Sequence, residues 1–297
     1  MESTIKTIKG KKIHMDSFEN QAEYIEHVKK FVDNKSPKLN SSIDDHSEFR
    51  GTENIYESFE IAEKGYELDT IDAELQEIKG TDQFELTPTF DVAGSEVEMG
   101  LYMTGVPESM IEFNLQEVQN KYVHVVVGIS DACGISSKQI LNRAAGVCSL
   151  IDRLESNQYR VKLSYHLCNG TGFGAGGDDG QSLIVPIKDY DQHLPMTELA
   201  GMLHTGFYRR IGFAFWETHP LWKQPFGHGR SPAGAVTKQW AKEHHAIDET
   251  ENFVYLPSIT EAKGGWSGIM RTGFDGFDEA KEYAEYVSEN IEDLYSN

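Results

Sequence analysis

The chain of 297 residues has little cysteine: three residues, Cys133, Cys148 and Cys168, too few and too scattered for a disulfide framework or a spaced zinc site. It has no apolar run near the ~20 residues that a membrane span needs. Its N-terminus, Met1 to Lys12, is polar and lysine-rich and lacks the apolar middle of a secretory signal. Histidines are present but never spaced as H-x-x-x-H or H-E-x-x-H, so hydrolytic zinc chemistry has no sequence support. No internal repeat recurs at a fixed period. These absences describe a soluble chain, expected in the cytoplasm, that is not an enzyme and takes no cofactor or metal.

What is present is charge, unevenly spread. Hydrophobic residues make up 39% and charged residues 25%, a balance that suits a folded chain. The net charge is −21, which at first argues against nucleic acid as a partner. Residues 44–117, however, hold 3 basic against 20 acidic residues, and residues 275–297 hold 1 against 8. Residues 204–245 reverse the sign with 6 against 2, leaving a local anion site open to an acidic molecule. The acidic blocks read either as solvated helical faces or as surfaces for a basic protein.

Hydrophobic periodicity divides the chain into an acidic helical or irregular region, residues 1–117, and an α/β core, residues 118–297. In the first, a helix is expected over Asn20–Phe31 and a linker over residues 34–48. Acidic helices follow over Ser58–Tyr66 and Thr70–Ile78, with Gly65 as a stop, and then irregular structure over residues 84–113. In the second, Tyr122–Ile129 reads as a buried strand and Gly134–Asn157 as a helix whose stripe is Ile140, Ala144, Val147, Ile151 and Leu154. Strands over Tyr159–Leu167 and Ser182–Lys188, a helix over Met196–Ile211 and a last helix over Gly276–Leu294 complete it. This order implies an α/β fold with a mixed sheet and flanking helices, α+β being the alternative, with residues 212–275 loop-dominated.

Five constellations carry candidate chemistry. Gly172 to Gly177 spells G-x-G-x-x-G, but Asp178, Asp179 and a strand follow where a phosphate site needs a helix, so it reads as a long hairpin. Asp131 ends the first strong strand without the D-x-S-x-S spacing of an integrin-type metal site; Asp131 or Ser136 is expected to cap the next helix. His244 and His245, with Asp248, diverge by about 100° on a helix and so make a poor shared ion site. The acidic end, Asp275 to Asn297, reads as a helix packed on the core or a dock for a basic partner.

The fifth is the basic window, which also carries three of the four tryptophans. Cations neutralise phosphates and ring faces stack on unpaired bases, so this composition suits a single-stranded nucleic-acid groove. Arg209, Arg210, Lys223, Arg230 and Lys238 are the expected phosphate contacts. Tyr208, Trp216, Trp222, Phe226 and Trp240 are the expected stacking rings. A local aromatic core is the competing reading.

Three stretches carry a family resemblance. They are Phe49-Arg50-Gly51-Thr52 with Glu57 through Tyr66, then Phe90-Asp91-Val92-Ala93-Gly94 with Val97 through Glu108, then Arg143 through Leu163. Over residues 49–190 the chain resembles a family of mostly uncharacterised phage proteins. Within that range it is similar to the single-stranded-DNA-binding RNA polymerase cofactors (Drc type) of phages that package a virion RNA polymerase. The resemblance implies a non-enzymatic protein of the host cytoplasm that binds single-stranded DNA and assists a phage RNA polymerase in transcription. Homo-oligomers are compatible with it. It assigns no functional residues by motif.

Overall fold

A computed structural model describes residues 1–68, 84–117, 121–170, 180–220, 234–245, 252–262 and 277–295. The chain opens with a hairpin, β1 (Glu2–Ile8) and β2 (Lys11–Ser17). Its turn residues Lys9 and Gly10 have φ of 48° and 79°, the left-handed pair that matches the strand twist of a tight hairpin. Then come α1 (Gln21–Asp33), α2 (Ser47–Arg50) and α3 (Ile55–Lys64). A small unit follows, made of β3 (Phe84–Asp91), β4 (Glu96–Val97), α4 (Met99–Met103) and β5 (Met110–Glu117).

The α/β core runs through β6 (Lys121–Gly128), α5 (Ser137–Ser156), β7 (Tyr159–Gly170), β8 (Gly180–Lys188) and α6 (Met196–Leu203). A π-helix, Phe207–Gly212, leads into α7 (Phe213–Thr218), and α8 (Gly234–His245), β9 (Phe253–Leu256), α9 (Ile259–Ala262), α10 (Phe277–Glu289) and α11 (Ile291–Tyr295) follow. Six strands form one mixed sheet in the order β1-β2-β8-β7-β6-β9. β6 pairs parallel with both β7 and β9, whereas β7 and β8 are antiparallel. The fold is α/β, as the order of elements implies. Because β1 and β2 join this sheet, it draws strands from both sides of residue 117.

The period of two along each strand sorts its residues onto two faces. Val123, Val125 and Val127 of β6 lie with Val161, Leu163, Tyr165 and Leu167 of β7 in the main core. The α5 stripe Ile140, Ala144, Val147, Ile151 and Leu154 packs there, with Tyr283, Ala284 and Val287 of α10. Ser136 and Gln139 cap α5 reciprocally, which starts that helix at Ser137 rather than Gly134. Gly65 ends α3 at φ 93°, where a Cβ would come within 2.8 Å of the Thr197 backbone, so α3 and α6 meet backbone to backbone.

Three expectations need correction. Residues 84–113 are not irregular: β3, β5 and β4 form an antiparallel sheet. Their glycines serve it; Gly94 lies so close on the Ile111 backbone that a Cβ would sit 2.6 Å from its carbonyl carbon. Residues 212–275 are not loop-dominated where described, for they contain α7, α8, β9 and α9. The single helix over Met196–Ile211 is broken at His204, whose ψ of 146° is extended, and resumes as the π-helix. The helix expected over Thr70–Ile78 lies outside the described residues.

Candidate functional site

The basic window separates into three groups. Tyr208, Arg209, Arg210, Trp216 and Trp240 are all buried, so none of the five offers a surface to a nucleic-acid strand in this fold. Lys238 is half-buried on α8, and burial, aided by Lys242, pulls its ammonium below the usual lysine range. Trp222, Lys223, Phe226 and Arg230 lie outside the described residues.

The two arginines are consumed by carbonyl oxygens. Arg209 donates to Phe49 O at 2.8 Å, Ile135 O at 2.6 Å and Ala132 O at 3.1 Å. Arg210 donates to Thr52 O at 2.8 Å, Glu53 O at 3.1 Å and Ser42 O at 3.2 Å. Both sit on the π-helix, a winding that often marks special sites. Here it turns two consecutive guanidinium groups inward onto the segment that holds Phe49-Arg50-Gly51-Thr52. The Arg209 guanidinium stacks 3.9 Å from the Phe49 ring centre, and Arg50 pairs with Asp44 at 2.7 Å. Burial lowers the Arg209 pKa to about 10. This arrangement clamps chain to core, since losing a buried cation would strand its carbonyl partners.

In an open α/β sheet ligands usually bind beyond the carboxyl ends of the strands, here the end of β6. Asp131 lies there, and burial raises its carboxyl pKa against the opposing pull of Arg143 and Arg209. Its Oδ1 accepts from Thr260 N at 3.2 Å, while Thr260 Oγ1 accepts from Ala132 N at 2.7 Å. Arg143 donates to Leu256 O and Pro257 O. The remaining cavity, beside Ile129, Asp131, Arg143, His204 and Tyr208, is about 10 Å³, room for a single water. Asp131 therefore ties β6 to α9 and does not cap α5; Ser136 does that.

On the other face of the sheet lies a buried polar cluster that sequence reasoning missed. His166 Nε2 meets Ser182 Oγ at 2.7 Å, and Ser182 Oγ also meets His244 Nδ1 at 3.0 Å. His166 Nδ1 reaches Tyr255 OH at 3.3 Å, and Cys168 Sγ lies 3.1 Å from His166 Nε2. His124 Nε2 meets Ser164 Oγ at 3.1 Å, and its ring stands 4.5 Å from that of His245. Burial lowers His124 to about 3, His244 to about 4 and His245 to about 2, and puts His166 well below the ordinary value, so all four are neutral. His244 and His245 reach different strands, as their divergence on a helix requires. No group of three His, Cys, Asp or Glu among the described residues is placed to hold a metal ion. The signal was available: β7 alternates apolar residues with Ser164, His166 and Cys168, and that second set is buried instead of facing water.

The Gly172–Gly177 motif lies outside the described residues, between antiparallel β7 and β8, and a strand follows it rather than a helix. The acidic C-terminus packs as α10 on α5, with Arg153–Glu285 at 2.8 Å and Lys121–Glu292 at 2.6 Å. No helix among the described residues is long and apolar enough to cross a membrane.

The small antiparallel sheet is the exposed counterpart of these buried clusters. Residues 84–117 contain seven acidic residues and no lysine or arginine. Between residues 88 and 112, Ser109 is the only buried side chain among those described. Seven of the thirteen exposed large hydrophobics among the described residues fall between Phe90 and Val106, including Met99, Tyr102 and Met103. Met103 is 78% exposed and Tyr102 63%, so this concentration is not a partly covered core. Clustered exposed apolar side chains mark interaction surfaces. The edge strand β3 carries Pro88, which removes a backbone donor and discourages strand addition there.

A family model described as "Domain of unknown function (DUF7192)" matches residues 4–285. No curated protein and no solved structure matches the chain.

Proposed function

Taking as premise that the chain belongs to the DUF7192 family, we propose that it is a protein-interaction module: the sheet over residues 84–117 docks on a basic, partly apolar surface of another protein. The observation that carries this reading is the coincidence of seven carboxylates, no cation and seven exposed large hydrophobics in one small unit. Methionine suits such a surface because its side chain adapts to uneven partners. The surrounding carboxylates steer a basic partner and disfavour a second copy of this acidic chain.

The test is a pull-down from host lysate with the wild-type chain and with a Met99→Asp, Tyr102→Asp, Met103→Asp variant. A basic protein retained by the first and lost by the second supports the reading. Equal retention by both overturns it.

A second reading keeps the chain as a single-stranded-DNA-binding phage protein of the host cytoplasm that assists a phage RNA polymerase. It is favoured by Lys238 and Lys242 on α8, which pair with no carboxylate among the described residues, and by the composition of residues 221–233. Oligonucleotide titration followed by tryptophan fluorescence at two salt concentrations separates the readings. Salt-dependent quenching by single strands supports DNA binding, and none removes it.

A further inference from the structure

The two faces of the six-stranded sheet are held shut by different chemistry. One is closed by apolar side chains from α1, α5, α6, α7 and α10. On the other, α8 supplies Trp240 to a cluster with Ile8, Ile13, Met15 and Cys168, and Ala241 to a cluster with Val126, Ile184, Phe253 and Tyr255. Trp240 packs the outer edge of its ring against Gly180, whose missing Cβ leaves room for it. Beside these contacts, α8 is seated by two imidazoles, His244 on Ser182 and His245 against His124.

The surroundings of that pair accept neutral rings and resist charged ones. Lys6 of β1 and Asp16 of β2 act on His244 from opposite signs. His245 faces His124 of β6, and His166 and Lys162 of β7; the lysine repels a positive charge there, and the two neutral rings supply none of the opposite sign to balance it. Cys168 and Tyr255 contact His166, and Asp189 acts on His124 together with Lys162. On α8 itself stand Lys238, Lys242 and Glu243. Lys6 Nζ is bonded to the Glu243 carbonyl, tying β1 to the end of the helix. Among the described residues, the carboxylate acting on His244 is Asp16, which already pairs with His219 at 3.2 Å.

We propose that α8 is an acid-released latch: protonation of His244 and His245 lifts the helix from the sheet and bares Cys168 and the strands beneath, while the opposite face stays folded. An imidazole freed from the sheet titrates near its ordinary value of ~6.5. Opening therefore becomes easier as pH falls below that value, by about 30-fold per histidine between about pH 7.5 and about pH 5, and on the order of 1,000-fold for the pair. The latch does not depend on what the small acidic sheet binds.

The cysteines provide the assay. Cys168 lies under α8, Cys148 lies in the main core on α5, and Cys133 is exposed. In the full chain carrying Cys133→Ser, labelling by dithiodipyridine, which reacts with thiols in acid, is followed at both pH values. Rates are normalised to the same chain in denaturant. The expected result is a rise in Cys168 labelling of at least about 100-fold on acidification, with Cys148 still protected. Unchanged Cys168 labelling overturns the proposal, and so does labelling of both thiols together, which would report global unfolding. A His244→Gln, His245→Gln chain is expected to flatten the pH dependence; if it does not fold, the wild-type contrast between the two thiols decides alone.

Discussion

The same strands build two unlike interiors. Along β7, Val161, Leu163, Tyr165 and Leu167 enter one face, and Ser164, His166 and Cys168 enter the other. All seven are buried, so burial alone does not distinguish them. The aliphatic members of the first set gain from leaving water without further conditions, and Tyr165 gains through its ring. The second gains only while every polar atom keeps a partner, because an unpartnered buried polar group costs about 1–3 kcal/mol. One face is therefore stable over a wide range of conditions, and the other is conditional on proton count. That difference shows where this fold is rigid and where it has a release point.

The largest expected effect that would test the contrast is acid lability. His124, His244 and His245 have folded values of about 3, 4 and 2, all below their unfolded values, so the unfolded chain binds more protons in the interval. Their stabilising contribution is fully present above about pH 6.5 and is lost as pH falls through that value toward the folded ones. Each forfeits roughly 2 kcal/mol by about pH 5. Asp131 and Glu155, whose folded values are raised, act in the opposite direction and offset part of the loss near the bottom of that range. Denaturant midpoints measured across this interval should decline steadily with acidification. A flat profile would show that the polar face behaves like the apolar one.

Next in size are single substitutions on either face. Leu163→Ala, in the main hydrophobic core, is expected to cost about 2–5 kcal/mol at every pH. Gly180→Ala places a methyl against the Trp240 ring and is expected to cost about 1–3 kcal/mol. Its signature is local: hydrogen exchange should accelerate over α8 more than over α5. Equal acceleration of both helices would mean that α8 is part of the main cooperative unit rather than a separable cover.

Much of the apolar face was legible in the sequence and little of the polar one. The β6 valines, the α5 stripe and the α10 stripe are strong periodic signals, and each packs where its period places it. The alternation in β7 was equally visible, but its polar half reads as solvent-facing unless a helix far along the chain is known to cover it. The basic-aromatic window misleads for the same reason. Composition shows that Arg209, Arg210 and Trp216 lie close in sequence; only the fold, a π-helix running into α7, shows that their side chains turn inward to Phe49, Thr52 and the core. Long-range pairing, between residues about 160 positions apart, decides the matter, and no local pattern encodes it. The small sheet of residues 84–117 was missed because its glycines resemble loop markers. In fact Gly94 makes a close backbone approach, Gly100 lies within α4 and Gly105 occupies a turn.

The smallest expected effect on stability is also the one that extends the comparison beyond the two faces. Met103 is the most exposed large hydrophobic among the described residues, on α4 of the small unit, none of whose described side chains joins either interior. Met103→Asp should therefore change the denaturant midpoint by no more than about 0.5 kcal/mol in free energy, the usual range for a surface site. Its effect on partner binding should be far larger. A charge placed in the centre of a desolvated contact costs several kcal/mol, and it also removes the thioether that would fill the partner's pocket. Loss of binding with unchanged stability would separate the docking surface from both folded interiors. A midpoint shift as large as that of Leu163→Ala would instead show that the small sheet is part of the core energetics.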